Sequence, residues 1–227
     1  MTKKGFIFDL DGVIVDTAKY HFKAWKKLAN GIGVDFSEAQ NEQLKGVSRK
    51  RSLEKILSWA GRTLSEEEFN QLMTSKNDDY LNYIDGMAED EILVDVPKVL
   101  NYLKEKEQPI ALGSASKNAR AILGKVNLLH KFEAIVDGND VSKAKPNPEV
   151  FLNAAALLNV KPENCIVFED SLAGIEAANN AQMVSIGIGD SAILKNADAV
   201  FNDFSEISTD FLDKLINQQA KNQLINE

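Results

Sequence analysis

The sequence predicts an open α/β fold in which a parallel sheet is interrupted once, near its start, by an all-helical insertion. Two patterns predict the sheet. Short apolar runs recur at Phe6-Ile7-Phe8, Ile110-Ala111-Leu112, Ala134-Ile135-Val136, Ile166-Val167-Phe168 and Val184-Ser185-Ile186, with Ala199-Val200-Phe201 a weaker sixth. Each reads as a strand buried on both faces, as parallel strands are. Between them lie segments of helical period: Val99, Leu100 and Leu103 after Pro97, and Leu172, Ile175 and Ala178 after Ser171. Another holds Val150, Phe151, Ala154, Leu157 and Leu158, after the cap and first-turn pair Asn147-Pro148. Strands alternating with helices build βαβ units.

A third pattern predicts the insertion. From Ala18 to Ala88 there are helical stripes and no convincing strand. Phe22, Trp25, Leu28 and Ala29 form one stripe, Leu53, Ile56, Leu57 and Ala60 a second, and Phe69, Leu72, Met73, Tyr80 and Leu81 a third. This divides the chain into a core of residues 1–16 and 89–227 and a helical cap of residues 17–88. In open α/β sheets ligands bind at the carboxyl ends of the strands. A cap inserted after the first strand covers that place and can close on it. The polar segment from Asn217 to Glu227 is expected to extend or fray the last helix.

Composition excludes several classes. The 227 residues carry 26 Lys and Arg against 34 Asp and Glu, a formal charge of −8, which argues against a nucleic-acid or anionic-membrane surface. One cysteine, Cys165, cannot form an internal disulfide. No apolar run approaches the roughly 18 residues of a membrane span. Lys3 and Lys4 lead straight into Phe6-Ile7-Phe8, too short for a signal-peptide core. A cytoplasmic protein is the expectation.

The strand ends carry the chemistry. The first runs Phe8-Asp9-Leu10-Asp11-Gly12-Val13. Carboxylates two residues apart on an extended chain point to one side, and burying them together is costly without a cation or proton between them. An Asp-Gly turn is the plainer reading, but Asp9 comes directly off an apolar strand. The second strand runs into Ser114-Ala115-Ser116-Lys117-Asn118, whose hydroxyls, amides and lysine at a helix start can bind an anion such as phosphate or simply cap the helix. Lys145, in Lys143-Ala144-Lys145-Pro146-Asn147-Pro148, is either a site cation or a solvated loop charge. The fourth strand ends Phe168-Glu169-Asp170-Ser171. Asp9, Asp11, Glu169 and Asp170 are hard oxygen donors suited to Mg²⁺, and no His or Cys cluster exists for zinc. A cation and a lysine around a carboxylate would leave it free to attack phosphorus, with a second carboxylate to handle the proton.

In the helical stretch, Lys45, Arg49, Lys50 and Arg51 concentrate positive charge. A solvated helix start accounts for Lys50 and Arg51, whereas a guanidinium at Arg49 suits a second phosphate. Lys76 lies on the apolar stripe of Phe69, Met73 and Tyr80, where snorkelling and a site role both stay open. His21 is off its helix's apolar stripe. His130 and Cys165 are read as structural, and Gly187-Ile188-Gly189 is too short for a dinucleotide motif.

Asp-Leu-Asp-Gly-Val, Ser-Ala-Ser, Lys-Pro-Asn-Pro and Phe-Glu-Asp-Ser stand in the order and spacing of the haloacid dehalogenase (HAD) superfamily, which the chain resembles over nearly its whole length. Within it the pattern is most similar to the β-phosphoglucomutase family, through Thr17, His21 to Trp25, Leu44 to Arg49, Ser52, Lys76-Asn77 and Ser114 to Asn118. The resemblance implies a HAD-like Rossmannoid parallel sheet core with an inserted helical cap domain. It also implies Asp9 as nucleophile, Asp11 as general acid and base, and Mg²⁺ on Asp9, the Asp11 carbonyl, Glu169 and Asp170. Ser114 and Lys145 would take the transferring phosphoryl group, Arg49, Ser116, Lys117 and Asn118 the distal phosphate, and Ala115 would belong to the same phosphate- and substrate-binding set. Gly46, Val47 and Ser52 would line the sugar, and Thr17, His21 and Lys76 would couple closure to Asp11. The implied activity is interconversion of β-D-glucose 1-phosphate and glucose 6-phosphate by a monomer acting on small sugar phosphates. A phosphosugar phosphatase shares the core motifs. A binding regulator would have a substituted nucleophile or metal ligand, and a dehalogenase would not need the metal ligands.

Overall fold

The computed structural model describes residues 3–217, so residues 218–227 of the polar C-terminal segment lie outside the described residues. Strand β1 (Gly5–Phe8) leads into α1 (Ala18–Gly31), α2 (Glu38–Glu42), α3 (Arg49–Trp59) and α4 (Glu66–Ile84). Next come α5 (Val96–Glu105), β2 (Ile110–Gly113), α6 (Ala119–Lys125) and β3 (Ala134–Val136). The chain continues through α7 (Glu149–Leu157), β4 (Cys165–Glu169), α8 (Leu172–Asn180), β5 (Val184–Ile188), β6 (Ala199–Phe201) and α9 (Thr209–Asn217).

The strands form one six-stranded sheet in the order β3-β2-β1-β4-β5-β6, every pair parallel. Side chains alternate across it. Phe6 and Phe8 face one way with Phe168, Leu100, Ile122 and Leu212, while Ile7 faces the other with Val167, Phe151 and Ala178. Phe8 and Phe168 stack, with ring centroids 4.7 Å apart. The strand order reverses between β1 and β4, which is where such a sheet opens a crevice at its carboxyl edge.

The helices α1 to α4 hold a cluster of their own, around Trp25, Leu28, Leu53, Ile56 and Leu57. The C-terminal half of α4 instead joins the main core through Tyr80 and Ile84, so this block is tied to the sheet at one end. The five-residue α2 has no counterpart among the sequence stripes, because it buries no side chain and so needs no apolar face. A reciprocal Ser37–Gln40 capping box starts it. The expected Asn147 cap moves by one residue: Pro148 is the N-cap of α7, and Asn147 Oδ1 accepts from Glu149 N at 3.1 Å. Cys165 is buried and free. Among the described residues no helix is long and apolar enough to cross a membrane.

Candidate active site

Pairing of Phe8 with Phe168 brings the next residues of the two strands side by side at the sheet's edge. There Asp9, Glu169 and Asp170 each present an oxygen, all within 4.8 Å of one another. Gly12 makes the approach of Asp170 possible: its φ is +78°, and a Cβ there would stand 2.2 Å from Asp170 Oδ2. Lys145, carried by the loop before α7, is 1% exposed. Its Nζ donates to Asp9 Oδ1 at 2.5 Å and to Glu169 Oε2 at 2.8 Å. The other Glu169 oxygen accepts from Ser171 Oγ at 2.7 Å.

Charge does not balance here. Burial pushes the Asp9 carboxyl up to about 8, against the pull of Lys145 and with Glu169 and Asp11 adding to it. Burial, Glu169 and Asp9 together push Asp170 well up, against Lys45. Lys45 Nζ stands 3.6 Å from Asp170, and among the described residues Lys145 is the one fully buried cation in the cluster. Three carboxylates with this little compensation and hard oxygen donors fit a divalent cation.

Asp11 faces a different environment. Its backbone N–H donates to Asp9 Oδ2 at 3.1 Å, while its carboxylate accepts a short hydrogen bond from the buried Thr17 hydroxyl. His21 Nε2 lies 3.6 Å from the same oxygen. Burial pushes this carboxyl up, but His21, Thr17 and Lys76 outweigh it and hold it below the usual range. Lys76 Nζ is 3.2 Å from His21 Nδ1, so a charged Lys76 leaves the ring proton on Nε2, toward Asp11. Lys76 does not snorkel. It is 3% exposed, with Nζ 4.6 Å from the Trp25 ring centre and 4.7 Å from that of Tyr80. Burial, then the Arg49 charge, lower it to about 7 against Asp11.

These groups border a cavity of about 840 Å³, partly open to solvent, between the sheet's edge and the helical block. Of the residues singled out in the sequence, Asp9, Asp11, His21, Gly46, Val47, Arg49, Ser52, Lys76, Ala115, Ser116, Lys117, Asn118 and Asp170 line it. Thr17, Ser114, Lys145 and Glu169 stand buried behind the wall. Ser114 and Ser116 do not cap α6; their hydroxyls accept from Ser116 N and Asn118 N within their own loop. Asn118 instead donates to Asn77 Oδ1 on α4 at 3.1 Å, linking the two sides of the cavity. Lys50 and Arg51 are exposed, as a solvated helix start requires.

Sequence reasoning gives no role to Lys45, Trp25, Asn41 and Leu44, which also line the cavity. Lys45 has a signal, its place in a run of cations, while Trp25 reads only as part of an apolar stripe.

A family model of haloacid dehalogenase-like hydrolases matches residues 3–182. The chain is 41% identical to a β-phosphoglucomutase of Bacillus subtilis (strain 168), over 92% of this chain and 93% of that protein. A phosphorylated carbohydrates phosphatase of Thermotoga maritima is 31% identical over 77% and 80% of the two chains. The crystal structure of a β-phosphoglucomutase from Clostridium difficile superposes with a TM-score of 0.91 at 41% identity, covering 96% of this chain and 98% of that one. The chain belongs to the haloacid dehalogenase-like hydrolase family and, within it, is similar to the β-phosphoglucomutases.

Proposed function

We propose that this chain is a phosphomutase that interconverts β-D-glucose 1-phosphate and D-glucose 6-phosphate. The intermediates are an aspartyl-phosphate on Asp9 and β-glucose 1,6-bisphosphate. A free sugar hydroxyl attacks the phosphorus of phospho-Asp9, and Asp11 takes the hydroxyl proton as the P–O bond to Asp9 breaks. After the bisphosphate turns over, Asp9 attacks the other phosphate and Asp11 returns the proton to the departing sugar oxygen. Lys145 orients Asp9 and, with Ser114, binds the moving phosphoryl group. Arg49, Ser116, Lys117 and Asn118 hold the distal phosphate, with Gly46, Val47 and Ser52 against the sugar. Thr17, His21 and Lys76 set the position of Asp11 as the helical cap of residues 17–88 closes.

Mg²⁺ is the cation that Asp9, Glu169, Asp170 and the Asp11 main-chain carbonyl would hold, supplying positive charge against the phosphoryl oxygens when bound. The reading also takes the chain as a cytoplasmic monomer acting on small sugar phosphates.

The observation that carries the proposal is a second cationic pole. Arg49 and Lys117 approach one cavity from opposite sides, and neither side chain has a hydrogen-bond or ion-pair partner among the described residues. Hydrolysis at Asp9 needs one phosphate position, whereas isomerisation needs two. Arg49→Ala tests this: isomerisation should fall at least ten-fold while hydrolysis of a small acyl phosphate changes little. Isomerisation left intact would contradict the distal assignment.

A further inference from the structure

A loop that binds an anion must keep its own carbonyl oxygens turned away from it, because they carry the same sign of charge. The loop after β2 meets this condition through a neighbouring turn, residues 137–140, which comes directly after β3. Ser116 O accepts from Gly138 N at 3.2 Å. Lys117 O accepts from Asn139 Nδ2 at 3.1 Å. Ala115 O packs over Gly138: a Cβ on that glycine would stand 2.4 Å from it, and 3.1 Å from Lys117 N. Ala115 to Asn118 line the cavity, whereas Gly138 and Asn139 do not.

The turn itself is braced. Asp137 is 1% exposed, and its carboxylate takes a short hydrogen bond from Arg120. It also accepts from Asn139 N at 2.8 Å and Asn139 Nδ2 at 2.9 Å. Asp140 accepts from Asp137 N at 2.9 Å and from Arg120 at 3.0 Å. Arg120 Nη2 completes the frame by donating to Ile135 O at 2.8 Å. The two hydrogens of the Asn139 amide are thus divided between the brace and the loop.

We propose that the 137–140 turn is a positioning device for the phosphate loop, with Gly138 and Asn139 as contact residues and Arg120–Asp137 as its anchor. Its function is to hold the Ala115, Ser116 and Lys117 carbonyls away from the cavity, so that the loop meets the substrate's distal phosphate with donors only. The inference rests on the reading that Ser116, Lys117 and Asn118 hold that phosphate. None of the four turn residues touches the reacting atoms, so the device acts on substrate binding at one end of the cavity and leaves Asp9 alone.

The test compares Gly138→Ala and Asn139→Asp with Lys117→Ala. Gly138 does not have a positive φ, so alanine there adds only a Cβ, which presses on Ala115 O and on Lys117 Cγ and N. Asn139 is exposed, and aspartate there keeps the shape while removing both amide donors, to Lys117 O and to Asp137 Oδ1. For each variant, KM and kcat with β-glucose 1-phosphate are measured beside the rate of Asp9 phosphorylation by acetyl phosphate, which has no distal phosphate. The expected result is a KM raised about ten-fold in Gly138→Ala and several-fold in Asn139→Asp, with acetyl phosphate reactivity within two-fold of wild type. Unchanged KM in both, with KM raised in Lys117→Ala, overturns the positioning device and leaves the functional reading standing. Equal losses with both substrates overturn it too, since they mark a general structural effect. Unchanged KM in Lys117→Ala removes the distal-phosphate reading and the inference with it.

Discussion

Lys145 places its ammonium 2.5 Å from Asp9 Oδ1, with both side chains shut away from solvent. A buried cation whose two partners are carboxylates cannot leave without stranding charge. Lys145→Met is therefore expected to destabilise the metal-free protein by about 3–5 kcal/mol. It should also lower the rate of Asp9 phosphorylation by at least a hundred-fold, because the carboxylate loses both its orientation and its neutralising partner. Urea unfolding and a labelled acetyl phosphate assay check the two halves separately. A variant of unchanged stability would mean that Lys145 is not held where the structure places it.

Asp170 gives the opposite sign. Burial and the neighbouring carboxylates of Glu169, Asp9 and Asp11 hold its pKa well above the usual value, so its ionised form is strained in the fold at neutral pH. A group of that kind lowers stability above its unfolded pKa. Asp170→Asn should raise the melting temperature without metal and abolish the further rise that Mg²⁺ produces in the wild type. Thermal melts with EDTA and with excess Mg²⁺ decide this. An Mg²⁺-dependent shift that survives Asp170→Asn would remove Asp170 from the ligand set.

Lys76 couples stability to pH. Its folded pKa of about 7 lies below the 10.5 of an unperturbed lysine. Between those values the unfolded chain binds more protons than the folded one, so stability rises with pH across that window. His21, Arg49, Asp11 and Tyr80 are the titratable or charged groups around it. Lys76→Met should flatten the rise, which is on the order of 4 kcal/mol, and raise stability at pH 7, while lowering turnover of sugar phosphate. Denaturant melts from pH 6 to pH 10 measure the slope. A slope equal to that of the wild type would contradict a buried, strained ammonium.

Much of the site is legible in the chain because its residues sit immediately after the strands that carry them. Apolar runs locate β1 and β4, and the residues next in sequence, Asp9, Glu169 and Asp170, must emerge at one edge once those strands pair in register. Lys76 is visible as a charge on an apolar stripe, although only packing shows that Trp25 and Tyr80 enclose it. Contacts between distant segments leave no local mark. The Lys45–Asp170 pair joins residues 125 positions apart, so nothing in either neighbourhood signals the other. The Gly138–Ala115 approach is of the same kind. The short α2 is invisible for another reason, since a helix that buries nothing needs no apolar period.

In the proposed reaction, phosphate moves from one sugar oxygen to another without passing to water. A single assay separates this from hydrolysis. It supplies β-glucose 1-phosphate and Mg²⁺, primes the protein with a trace of β-glucose 1,6-bisphosphate, and records glucose 6-phosphate and free phosphate together. Rapid formation of glucose 6-phosphate, with free phosphate only a small fraction of it, is the predicted result. Stoichiometric phosphate release with negligible isomerisation would contradict the mutase reading and make the chain a sugar-phosphate phosphatase.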